Sequence, residues 1–172
     1  MNSQRLQRWI HIQHVLLILL LVWLIATSPW VHLYSQIPPN PTFWVWSHII
    51  LGTVALALTL SFSATCFAEG RLRHYFPWAF GRFRPLLNDL AGLLRLKIPT
   101  NEDGGLFSVI KGLLLLSLLA VAITGAMWLW TAGTREAVAW RVWHIETFKV
   151  LAVFLGLHVL ATIAHLVQFI RQ

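Results

Sequence analysis

The chain has 172 residues, of which 58% are hydrophobic and only 11% charged. Soluble domains carry roughly 25% charged residues, so this composition excludes an ordinary water-soluble globule. Lys and Arg number 13 against 6 Asp and Glu, a net charge of +7, but the basic residues are unevenly spread, as membrane topology requires, and do not read as a nucleic-acid surface. The single cysteine, Cys66, leaves no intrachain disulfide, and no Cys-x-x-Cys-His motif is present for covalent c-type haem attachment. A chain this short is expected to form one domain, residues 1–172.

A membrane-spanning helix needs about 20 mostly apolar residues. Four windows qualify, at about 9–28, 43–67, 106–130 and 143–170. The first has no small-residue cleavage site and runs into Pro29-Trp30, so it is expected to be a retained helix and not a cleaved signal. Ile37-Pro38-Pro39-Asn40-Pro41 is a helix-stopping turn segment without a basic residue. A short loop at 131–141 joins the last two windows. The expected fold is all-α, an integral membrane four-helix bundle.

Orientation follows from the cations. Arg5, Arg8, Arg71, Arg73, Arg82, Arg84, Arg95, Lys97 and Arg171 fall on one side of the membrane, Arg135 and Arg141 on the other, and Lys111 and Lys149 inside helices. The positive-inside rule then places both termini and the middle segment 68–105 of this multi-pass membrane protein in the cytoplasm. Within that segment, residues 85–97 put leucines at helical spacing beside charges. They are expected to form an interfacial amphipathic helix, with Tyr75, Phe76 and Trp78 in the headgroup region.

Eight histidines in so apolar a chain ask for a function, because ionisable residues inside a membrane are costly. His144 and His158 lie 14 residues apart on the fourth window. At 100° and 1.5 Å per residue they return to within about 40° of one face, about 21 Å apart along the axis. Topology pairs His14 of the first window with His158 on the cytoplasmic side, and His48 of the second with His144 on the periplasmic side. Two stacked bis-histidine haems fit this arrangement. Zinc would want four ligands at one level, whereas two axial imidazoles on one iron leave no open position, which suits electron transfer. Gly52 and Gly156, close to His48 and His158, would let a flat macrocycle approach. Single buried histidines often only hydrogen-bond across helices; four at two matched depths favour ligation. His11, three before His14 on the same face, is a rival ligand, and His165 continues the His158 face, where it could meet a haem propionate or a quinone. His32 and His74 read as ordinary loop residues.

Trp143-His144-Ile145-Glu146-Thr147, with Gly156-Leu157-His158 and Ala161-Thr162-Ile163-Ala164-His165, resembles the last helix of bacterial di-haem cytochromes b of the cytochrome b-561 family. His48-Ile49-Ile50-Leu51-Gly52 is similar to the second-helix His-x-x-x-Gly of that family. On the first helix the family often shows Arg-x-x-His; here Arg8 sits three before His11, while His14 fits the distance to Thr27, so both histidines stay candidates. Leu86-Leu87-Asn88, the run Asn101 to Gly105, Lys111, and Ile123-Thr124-Gly125-Ala126 resemble the cytochrome b subunits of formate dehydrogenases, nickel-iron hydrogenases and thiosulfate reductases. The resemblance implies a quinone pocket at the cytoplasmic haem, with Asn101, Gly104, Gly105 and Lys111 as neighbours. Asn101–Gly105 also reads as a plain polar turn.

These features lead to an electron-transfer subunit with two haems b, set in the lipid bilayer between a periplasmic partner and ubiquinone or menaquinone. The partner would be a dehydrogenase, a hydrogenase or a c-type cytochrome subunit. Its extramembrane segments hold no catalytic constellation of their own. The alternative, on likeness to single-chain relatives, is a stand-alone superoxide:quinone oxidoreductase with Arg135, Arg141 and Lys149 steering the anion. A third, a non-redox scaffold or small transporter with structural histidines, would hold no haem.

Overall fold

The computed structural model describes residues 3–70, 72–95 and 104–170, apart from the side chains of 3, 168 and 169. Its secondary structure is helical throughout: α1 (Ser3–Thr27), α2 (Phe43–Ala68), α3 (Leu72–Tyr75), α4 (Arg84–Leu94), α5 (Leu106–Trp130) and α6 (Glu136–Ile170), with 3-10 turns at Ser28–Trp30 and Pro77–Phe80. The helices α1, α2, α5 and α6 are each long and apolar enough to cross a membrane. Leu19, Val22, Phe67 and Leu160 on them are exposed, as side chains are whose solvent is lipid.

Local chemistry explains the boundaries. At the end of α1 the Thr27 hydroxyl donates to the Trp23 carbonyl at 2.7 Å and that of Ser28 to Ile25 at 2.9 Å, satisfying last-turn oxygens before Pro29 stops the helix. Thr42 opens α2 by accepting the Val45 N–H at 3.4 Å. Gly70, at φ +69°, follows its last turn in the left-handed conformation. α6 begins at Glu136, several residues before the apolar window, so the loop expected at 131–141 shrinks to 131–135. Charged Glu136 and Arg141 lowered the hydropathy there without opposing a helix, and an acid in the first turn complements the helix dipole.

The chain divides into two compact units. One comprises Met1–Thr65 with Leu118–Phe148. Within it, Gln13 is wholly buried; its Nε2 donates to the Ser61 hydroxyl at 2.6 Å and its Oε1 accepts from Thr65 at 3.3 Å, a polar tie between α1 and α2. The segment after α1 is strapped to the α5–α6 turn: Trp128 Nε1 donates to the Tyr34 carbonyl at 2.9 Å, Arg141 Nε to Leu33 at 2.7 Å, and the Gly133 N–H to Ser35 at 2.8 Å.

The other unit comprises Cys66–Ser117 with Lys149–Gln172. Here α4 spans most of the segment expected to be helical. Its Asp89 is buried and accepts the Leu106 N–H at 2.8 Å, capping α5 from 17 residues away. Gly112 on α5 lies so close to the Tyr75 carbonyl that a Cβ would overlap it.

Candidate functional site: paired imidazoles on apolar helices

His48 on α2 and His144 on α6 come together in the first unit, their ring centroids 6.4 Å apart and their planes at 89°. Both are half-buried. His144 Nδ1 lies 3.0 Å from the Val121 carbonyl oxygen and 3.4 Å from Thr124 Oγ1 on α5. A carbonyl only accepts, so Nδ1 carries the proton and Nε2 is left with its lone pair free to ligate a metal. His48 Nδ1 is buried without a hydrogen-bond partner among the described residues.

The second unit holds another cluster. Phe107 on α5 stacks on His158 of α6, meets the His165 ring at 5.2 Å, and carries Lys111 Nζ at 4.1 Å from its centroid. Gly104, at φ +82°, turns the chain into α5, with its N–H donating to the Ser108 hydroxyl at 3.1 Å; Gly105 is buried beside it. Asn101 lies outside the described residues.

His14 and His11 are exposed on α1, with the His14 ring 6.3 Å from that of Phe62. Arg141, counted among cations that could steer an anion, has its Nε on the Leu33 carbonyl and its guanidinium 5.4 Å from the Tyr34 ring centroid. The sequence reading missed Phe107, although its i,i+4 relation to Lys111 was visible. It also missed Val121 and Asp89, which no spacing rule marks. Beside Gly52 and Gly156 an added Cβ would meet nothing within 4 Å, so both positions leave open space.

Four apolar helices, two of which bring imidazoles together, define the class: a helical membrane protein equipped to hold a prosthetic group. The family model of prokaryotic cytochrome b561 matches residues 5–169, and the chain belongs to that family. No curated protein and no solved structure matches it. The family is one of bacterial membrane proteins that bind haem b and transfer electrons.

The residues present fit that group. A metal–imidazole bond is about 2.0–2.1 Å and the ring centroid lies about 1.1 Å beyond the ligating nitrogen, so two imidazoles across one iron hold their centroids roughly 6.3 Å apart. His48 and His144 stand at 6.4 Å. The orphaned His48 nitrogen and the open space at Gly52, one turn further along α2, point the same way.

Proposed function

We propose that this chain is a di-haem electron-transfer cytochrome moving electrons between a periplasmic redox partner and the quinone pool of the bacterial inner membrane. The observation that carries this is the 6.4 Å separation of His48 and His144, the axial ligands of the periplasmic haem. A haem held by these two imidazoles would supply a one-electron iron couple and would leave oxygen no coordination position. His144 keeps its proton on Nδ1 against Val121 and offers Nε2 to iron. For the cytoplasmic haem the proposal rests on sequence position: His158, 14 residues after His144, is paired with His14, with His11 as the rival.

Quinone is placed at the cytoplasmic end of α5. Lys111 and His165, gathered around Phe107, offer the hydrogen-bond donors a quinone oxygen needs. Gly104 and Gly105 form the turn beside them, and Asn101 is assigned there on resemblance. Both termini are cytoplasmic in this reading. The exposed stripe Phe83, Leu87, Leu90 and Leu94 of the α4 region, with Arg84 and Arg95 alongside, lies among cytoplasmic headgroups. The periplasmic partner is a dehydrogenase, a hydrogenase or a c-type cytochrome subunit.

Haem extraction with a protein assay tests the proposal. Two haems per chain are expected, with His48→Ala and His144→Ala each losing the same one, and His158→Ala the other. One haem in the parent protein, or two retained in His48→Ala, defeats it. His14→Ala and His11→Ala decide the first-helix ligand.

A further inference from the structure

α5 carries none of the four proposed ligands, yet three of its residues converge on the His144 imidazole. We propose that Val121, Thr124 and Gly125 act as positioning residues that fix the tautomer and seat of His144, and so set the potential of the periplasmic haem. This rests on His144 being an axial ligand of that haem.

The main contact is the Nδ1–H bond to the Val121 carbonyl at 3.0 Å, and Thr124 Oγ1 at 3.4 Å is a second acceptor for the same proton. The Thr124 hydroxyl donates to the Ala120 carbonyl at 2.8 Å, which leaves its lone pairs for Nδ1–H. Thr147, one turn along α6 from His144, brings its hydroxyl within 3.2 Å of Thr124. Hydroxyls therefore join α5 and α6 beside the ring. Gly125 completes the seat: a Cβ there would stand 3.0 Å from His144 Cε1 and 3.1 Å from Nδ1, closer than ordinary van der Waals contact. A Cβ at this position would push the ring back by a few tenths of an ångström.

A ligating imidazole that donates its second N–H to an oxygen acceptor becomes a stronger electron donor to the metal. Stronger donation favours ferric over ferrous iron and lowers the potential. The tuning proposed here comes from the His144 side, where the Val121 carbonyl and the Thr124 hydroxyl supply those acceptors.

Redox titration, low-spin EPR and haem counting on the purified full-length protein and its Thr124→Val, Thr124→Ser, Gly125→Ala and His144→Ala variants test this. Thr124→Val is expected to keep both haems and raise the midpoint of one while the other stays put, with Thr124→Ser restoring it. Gly125→Ala is expected to alter the EPR signal of that same haem or release it. Unchanged midpoints, a downward shift, or equal shifts of both haems in Thr124→Val overturn the proposal, as does a parent-like EPR spectrum in Gly125→Ala. Two haems retained in His144→Ala would instead defeat the ligand assignment beneath it.

Discussion

The Phe107 ring lies parallel to the His158 imidazole, with 4° between the planes and 5.5 Å between centroids. The same ring meets His165 and carries the Lys111 ammonium, so one α5 side chain gathers two imidazoles and a cation. Offset aromatic pairs contribute about 0.5–1.5 kcal/mol beyond the area they bury. Phe107→Leu keeps the apolar bulk and loses the stacking. It is expected to lower the melting temperature in detergent by roughly 1–6 °C, and to change the optical spectrum of one haem while both remain bound. A parent-like melting curve and spectrum would show that the stack carries neither role.

The 89° between the His48 and His144 planes carries a magnetic prediction for the haem proposed between them. Perpendicular axial imidazoles leave the two π-symmetric d orbitals of ferric iron close in energy, because neither direction is favoured by ligand overlap. A haem held by these rings as they stand gives a strongly anisotropic low-spin EPR signal with a large principal g value. That signal is expected in the oxidised protein and should vanish in His48→Ala and in His144→Ala. An ordinary rhombic signal from this haem would mean that the rings rotate towards each other when iron is bound.

Asp89 joins α4 to the start of α5 through the Leu106 N–H, at 2.8 Å and out of water. Asp89→Ala leaves that donor without its acceptor and removes a negative charge from a helix N-terminus. The expected cost is about 1–2 kcal/mol. Asp89→Asn keeps an acceptor and is expected to lose less than half as much. Denaturation of the two variants in one detergent compares them; equal losses would assign the effect to charge and not to the cap.

The sequence by itself determined the four apolar helices and the family, because hydropathy adds up along about 20 consecutive residues whatever the neighbouring helices do. It also singled out His48 and His144 for pairing, since a histidine stands out in an apolar window. It misjudged where α6 begins: a charge ends an apolar window without ending a helix, and Glu136 and Arg141 lie on the first turns of α6. Only the tertiary structure decided what surrounds the imidazoles. Val121 and Thr124 lie 23 and 20 residues from His144, and Asp89 lies 17 from Leu106. α5 is apolar on every side, so no periodicity tells which stripe faces a neighbouring helix. Packing makes that choice: Gly125 admits the His144 ring where a Cβ would crowd it, and Gly112 admits the Tyr75 backbone where a Cβ would overlap it.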